Sequence, residues 1–279
     1  MIRCFVIGDW GRQGIPEQHK LAHRMATYPP PPNFIISTGD NFYDAGVSSV
    51  HDPLWQRSFE EVYHQPELQV PWHVVLGNHD YDGNVQAQID YSQHSERWHL
   101  PARYYHVHQP LGEEEVLLVF TDTSPFIDLY HEEGKPAIVA QDAGKQLRWL
   151  ADVLRSSTAR WKIVVGHHPV YSSSPYHGDA PELIEQFVPL FDRYGVDLYL
   201  CGHEHDLQLH RPPGDTLYLV SGAGSEIRET GSQPYTLFSA SVNGFATVDL
   251  TPTRLRVTFV DDAGRVLYEQ AVEKVEQML

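Results

Sequence analysis

Five short apolar runs in this sequence end in the same way. "CFVIGD", "IISTGD", "HVVLGN", "IVVGH" and "YLCGH" each close on a glycine followed at once by a side chain able to hold a metal: Asp9, Asp40, Asn78, His167 and His203. One Gly-Asp after a strand is an ordinary turn. Five in order imply strand ends that converge, because functional groups gather at the carboxyl ends of strands in open α/β sheets, and glycine there leaves room for an ion. Tyr43 stands three residues after Asp40 in "STGDNFY", and His205 two after His203 in "CGHEHD". A tyrosine in that company is either a packed aromatic at a strand end or a ligand that marks a particular metal.

Bringing five strand ends together requires a sheet whose strands run the same way. Apolar strand-like runs do alternate with helical patterns along the chain, whose first half reads as α/β, the sign of a mixed or parallel sheet with helices on its faces. Helices are predicted over 17–28, 52–65, 84–93, 143–157 and 180–195, the last capped by Gly195. After residue 216 the pattern turns to strands closed by Gly or Pro and predicts a β-meander. "YPPPPNF" reads as a stiff connection from helix to strand.

Bulk properties set limits on partners. With 279 residues, 41% of them hydrophobic, there is ample core for one large domain or two ordinary ones. A formal net charge of −17 excludes a surface built for DNA, RNA or an anionic membrane. Cys4 and Cys201 lie in apolar runs and read as unpaired core thiols, which favours the cytoplasm over export. No run of about 18 apolar residues occurs, and "MIRCFVIGDW" turns polar too early for a signal peptide, so a soluble protein is expected. Oligomeric state is not legible.

The words around the five glycines are more specific still. "GDWG", "GDNFYDAGV", "GNHDYDGN", "GHHPVYS" and "CGHEHDLQL", with "AQIDYSQHSERWHLPARYY", "LVSGAG" and "NGFATV", resemble the calcineurin-like metallophosphoesterases. In particular they resemble the small, single-domain purple acid phosphatases of the mammalian tartrate-resistant type. The resemblance implies an α/β (α+β) fold, a four-layer α/β/β/α sandwich of two mixed sheets flanked by helices, formed by residues 1–279 as one metallophosphoesterase domain. With its first ligand at Asp9, the chain is expected to lack the N-terminal β-domain of the larger plant-type enzymes.

The resemblance also assigns roles. One metal takes Asp9, Asp40, Tyr43 and His205; the other takes Asp40, Asn78, His167 and His203, with Asp40 shared. Two carboxylates and a phenolate suit Fe(III), and two imidazoles with an amide suit a divalent ion, Fe, Zn or Mn. Ionised, Asp9, Asp40 and Tyr43 carry three negative charges against five positive, leaving two positive charges for hydroxide and phosphate. The implied function is hydrolysis of small phosphate monoesters, an acid phosphatase reaction in which metal-bound hydroxide attacks phosphorus. His79 and His177 are expected to face the phosphate alongside Asn78, with His79 protonating the leaving group and Asp80 orienting it. His177 falls one position later than the pattern, counted from His167. The irregular segment 125–142 is expected to overhang the site, and the remaining histidines, His168 among them, read as solvated or satisfied in the core. A phosphodiesterase or pyrophosphatase on the same platform is the alternative enzyme, and a non-catalytic metal-binding scaffold the alternative class.

Overall fold

The computed structural model describes residues 1–275, so the last four residues of the expected domain lie outside the described part. Among the described residues fourteen strands form two mixed sheets. In the first, β1 (Ile2–Ile7), β2 (Phe34–Ser37), β3 (Trp72–Val74) and β4 (Trp98–His99) run parallel. On the other side of β1 come β12 (Gly244–Leu250), β13 (Arg254–Asp261) and β14 (Val266–Glu273), all antiparallel. In the second sheet β6 (Glu114–Phe120), β7 (Trp161–Val165), β8 (Leu198–Cys201) and β10 (Leu217–Ser221) run parallel. β5 (Tyr105–Leu111) edges β6, while β9 (Leu207–His210) and β11 (Thr236–Ala240) continue beyond β10.

Alternation along β6 shows how the layers stack. Val116, Leu118 and Phe120 enter the core shared with the first sheet, while Leu117 and Val119 join a second core under two helices, α5 (Ala143–Ser156) and α6 (Pro181–Tyr194). Those helices contribute Leu150, Leu154, Leu183, Phe187 and Phe191, each fully buried or nearly so. A period of two on the strand meets a period near four on the helices, so both faces of the sheet are covered. α1 (Pro16–Thr27) packs on β12 and buries Leu21, Ala22 and Met25. The remaining helices are short: α2 (Val85–Asp90), α3 (Asp128–Glu132) and α4 (Pro136–Val139).

Several expectations are met and two need correction. α1, α5 and α6 fall where the pattern put them, and Gly195 closes α6 with φ 65°, a left-handed cap that glycine adopts without strain. The expected helix over 52–65 is one six-residue π-helical stretch, Trp55–Glu60, flanked by turns. Its apolar residues serve an aromatic cluster in which Trp55 stacks on Tyr91 and meets Phe42, a demand that outweighs regular helix. The C-terminal meander holds for β12 to β14 only. β10 pairs with β8 in the other sheet, because its all-buried sequence suits a central parallel strand rather than a solvated hairpin.

Candidate metal centre

β1, β2, β3, β7 and β8 all finish at one end of the sandwich, and the residue after each terminal glycine points into the seam between the sheets. Close approach is why glycine stands there. A Cβ on Gly77 would lie 2.1 Å from Asp40 Oδ1, and one on Gly202 would lie 2.4 Å from Asp9 Oδ2. Asp9, Asp40 and His203 themselves adopt left-handed backbone, with φ of 58°, 49° and 68°. Such conformations cost roughly 1–3 kcal/mol each for residues with side chains and persist where the surroundings over-determine them. Here Asp9 N–H donates to Gly39 O at 3.0 Å and Tyr43 N–H to Gly11 O at 2.9 Å, locking the turns together.

The donor atoms form two groups. Around the Tyr43 hydroxyl stand Asp40 Oδ2 at 2.9 Å, Asp9 Oδ1 at 3.0 Å and His205 Nε2 at 3.1 Å. In the second group Asn78 Oδ1 lies 3.1 Å from His167 Nε2 and 3.0 Å from His203 Nδ1, and the two ring nitrogens are 3.2 Å apart. Asp40 Oδ2 joins the groups, lying 3.5 Å from His167 Nε2. His167 Nδ1 donates to Thr38 O at 2.8 Å, which leaves the lone pair of the neutral ring on Nε2, facing the amide oxygen. Lone pairs converging from two imidazoles and an amide repel one another unless a proton or a metal ion sits among them, and a metal ion can accept all three at once. The donor set therefore fits two metal ions that share Asp40.

Each carboxylate is held by its far oxygen so that the near one is presented. His79 N–H donates to Asp40 Oδ1 at 2.9 Å, and His203 N–H donates to Asp9 Oδ2 at 2.9 Å. Without ions the charges are balanced by protons. Burial pushes the Asp9 carboxyl well above its usual range, with Asp40 adding to the effect and His167 opposing it. Burial works against charge on Asp40 and His167 too, yet their mutual attraction prevails, drawing the carboxyl down and lifting the imidazole to about 9. Burial, then Asp40 and Asp9, hold the Tyr43 phenol far above its ordinary value, so only a strongly acidic cation could ionise it. Burial also keeps His203 neutral, aided by His168, and lowers His205 to about 3, aided by Arg228.

The histidines beyond the two donor groups sit as follows. His79 packs on the Tyr43 ring with centroids 4.6 Å apart, and its Nδ1 donates to Asp44 O at 2.7 Å, leaving Nε2 at the open side. His177 reaches the site despite its later position, its ring centroid 4.3 Å from that of His203 and its Nδ1 3.2 Å from Glu204 Oε2. Asp80 does not orient His79. Its buried carboxylate accepts from Asn41 N at 3.1 Å, Asn41 Nδ2 at 3.0 Å, Gly77 N at 2.9 Å and Gln88 Nε2 at 2.8 Å, tying the turn of Asp40 to the turn of Asn78. The next side chain along the turn simply faces the other way, into the core.

Sequence reasoning missed Glu204, which holds His177, and Arg12, whose Cζ lies 3.8 Å from the Tyr43 ring centroid, whereas His168 is satisfied in the core as expected. His168 is buried, bonded through Nδ1 to Thr123 Oγ1 at 2.8 Å and through Nε2 to Tyr130 Oη at 2.9 Å. Tyr130 belongs to the irregular segment 125–142, which does overhang the site: Leu129, Tyr130 and Lys135 line a cavity of about 520 Å³ whose floor includes Asn78, His177 and His203.

Residues 2–207 match the calcineurin-like phosphoesterase family. Purple acid phosphatase 17 of Arabidopsis thaliana is 38% identical over 98% of this chain and 85% of its own length. Tartrate-resistant acid phosphatase type 5 of Homo sapiens is 34% identical over 96% of this chain and 90% of its own. Among solved structures, GAP50, described as the anchor in the inner membrane complex of Plasmodium, superposes with a TM-score of 0.86 at 26% identity, covering 99% of this chain and 90% of that one. A purple acid phosphatase from yellow lupin seeds shares the fold, with a TM-score of 0.75 at 16% identity over 98% of this chain and 53% of that one.

Proposed function

On the premise that the chain belongs to the calcineurin-like phosphoesterases and, among them, to the purple acid phosphatases, a metal-dependent phosphoester hydrolase with a binuclear centre, we propose how residues 1–279, acting as one metallophosphoesterase domain, perform phosphomonoester hydrolysis. The observation that carries the reading is Asp40 Oδ2, shared between two complete donor groups. Asp9, Asp40, Tyr43 and His205 would hold Fe(III), and Asp40, Asn78, His167 and His203 a divalent Fe, Zn or Mn. Bound there, the pair supplies an acidified water as nucleophile and positive charge for the phosphate.

The chain's own groups do the rest. The neutral amide of Asn78 contributes an oxygen without adding negative charge, so the site keeps its attraction for phosphate inside a strongly acidic protein. His79, fixed through Nδ1 by the Asp44 carbonyl, presents Nε2 to the space beside Tyr43 and is placed to deliver a proton to the departing alkoxide. His177, held by Glu204, stands over His203 and contributes to phosphate binding. GAP50 is described as an anchor, the role a scaffold would play, whereas seven donor-type side chains drawn together support a working centre in this chain. Metal analysis and a visible spectrum of the purified protein, with turnover of a monoester and a diester, test the reading. Two metals including iron, colour, and faster monoester turnover are expected; preference for the diester would overturn it.

A further inference from the structure

The cavity beside the ligands has two walls, one from the overhanging segment and one from the loop that leads into α6. Glu182 Oε1 accepts from Asp128 N at 3.2 Å and so ties the walls together. Near the floor and at the mouth the surfaces are apolar: Ile127, Leu129, Pro169 and Tyr176 line it, and Leu129 and Tyr176 are 53% and 58% exposed although large and hydrophobic. Side chains like these stay in water at a cost unless something covers them.

The charges on the walls are unequal. Glu133, Asp179 and Glu182 line the cavity, and none of them pairs with a cation among the described residues. The lining contributes one ammonium, Lys135, and its Nζ is already 3.1 Å from Asp82 Oδ1 and 5.3 Å from the Tyr130 ring centroid. Asp179 is occupied, accepting from Ser172 N at 2.8 Å and Tyr235 Oη at 2.6 Å. Glu133 accepts no hydrogen bond among the described residues, and Glu182, whose Oε1 takes the Asp128 N–H, keeps its second oxygen for a bound molecule. Arg228 lies outside the lining, with its Cζ 5.8 Å from the Tyr176 ring centroid.

We propose that this cavity is a leaving-group pocket selecting small phosphomonoesters whose alcohol part is apolar or aromatic next to the ester oxygen and carries a positive charge further out, with Glu133 and Glu182 as the selecting charges. The proposal rests on the phosphomonoesterase reading. A volume of about 520 Å³ suits a small molecule. Attraction for the phosphate is local to the ions, so a second anion on the leaving group meets uncompensated carboxylates, while an ammonium meets partners. Nucleotides and sugar bisphosphates are thereby disfavoured.

The test compares kcat/KM for three esters of matched shape with the metal-loaded protein: 4-(aminomethyl)phenyl, 4-methylphenyl and 4-(carboxymethyl)phenyl phosphate. The cationic ester should exceed the anionic one by roughly three- to tenfold at low salt, in line with exposed charge pairs, and less at high salt. Glu182→Gln keeps the acceptor that joins the walls, so Glu133→Gln with Glu182→Gln should remove charge without unlocking the cavity, and the ratio should fall toward one; Glu133→Lys should invert it. A thermal melt verifies that each variant is folded. An unchanged ratio in the double variant, or a wild-type preference for the anionic ester, overturns the proposal. No turnover of any of the three esters removes the phosphomonoesterase reading and the proposal with it, a result distinct from turnover without charge preference.

Discussion

Arg12 lies against the ring of Tyr43, its Cζ 3.8 Å from the centroid, while the hydroxyl on that ring stands among Asp9, Asp40 and His205. A cation over an aromatic face stabilises the ring electrons. If Tyr43 binds Fe(III) as a phenolate, Arg12 lowers the energy of the electrons that its visible band excites. Tyr43→Phe should bleach the oxidised protein, and Arg12→Met should move the band to longer wavelength with its intensity retained. A colourless wild type that contains stoichiometric iron would refute the tyrosinate assignment.

The shared oxygen of Asp40 makes a different demand on metal content. Asp40→Asn takes a negative charge from both donor groups, so both occupancies should drop after dialysis. Asn78→Ala removes a donor from one group and should deplete mainly the divalent ion. Elemental analysis decides between them, and full retention of both metals in Asp40→Asn would rule out the bridge.

His79 and His177 should separate by substrate. Because His79 has one nitrogen committed to the Asp44 carbonyl and the other open, His79→Ala should slow an alkyl phosphate by on the order of 10²–10⁴ and an aryl phosphate far less. His177→Ala should raise KM more than it lowers kcat. Equal losses on both esters would leave His79 as a positioning group.

Asp80 offers a test of positioning without contact to substrate. Asp80→Ala strips the buried N–H groups of Asn41 and Gly77 of their acceptor, and each such loss costs about 1–3 kcal/mol. The melting temperature should fall markedly, and metal retention should fall with it because the Asp40 and Asn78 turns come apart. A variant that melts lower but keeps both metals would confine Asp80 to the core.

The pair of Arg3 and Asp249 sets an acid limit on stability. Arg3 Nε lies 2.5 Å from Asp249 Oδ1 and Arg256 Nη2 2.6 Å from Oδ2, joining β1, β12 and β13. Burial opposes ionisation of Asp249, but Arg3 and then Arg256 outweigh it and hold the carboxyl below its usual value. A lowered folded value means that the stabilisation is complete above the unfolded range near pH 4 and fades as pH falls through the folded value. Asp249→Asn should therefore destabilise the protein at pH 7, leaving Arg3 buried beside a neutral group, and the difference from wild type should shrink in acid. A gap in melting temperature that stays constant from neutral pH down to strong acid would contradict this.

What the sequence made legible was whatever depends on local chemistry. Glycine before Asp9, Asp40, Asn78, His167 and His203 marked strand ends because a Cβ there has no room, and all five do meet. Tyr43 and His205 stood on the same turns, but their roles came from the resemblance, since spacing alone left Tyr43 open between a packed aromatic and a ligand. Arg12 and Glu204 were not legible because their partners, Tyr43 and His177, lie far along the chain and only folding brings them together. Asp80 misled because adjacency to His79 says nothing of direction: at that turn neighbouring side chains point apart. β10 misled for a related reason: its all-buried pattern marks a central strand but does not say of which sheet, and only folding sets it beside β8.

Each donor group also draws from both sheets. Asp9, Asp40, Tyr43 and Asn78 follow strands of the first, and His167, His203 and His205 follow strands of the second. Two bound ions therefore act as rivets through the seam, added to a junction that apolar packing and a few hydrogen bonds, such as Ser221 Oγ–H to Val6 O and Trp161 Nε1–H to Thr251 O, maintain elsewhere. Binding only the folded arrangement, they raise its stability by mass action, so the melting point should climb with free metal concentration. Chelation should then loosen the ligand-bearing end of the sandwich first, where three side-chain-bearing residues are held in left-handed backbone, and amide hydrogen exchange should quicken there while the strands beneath stay protected.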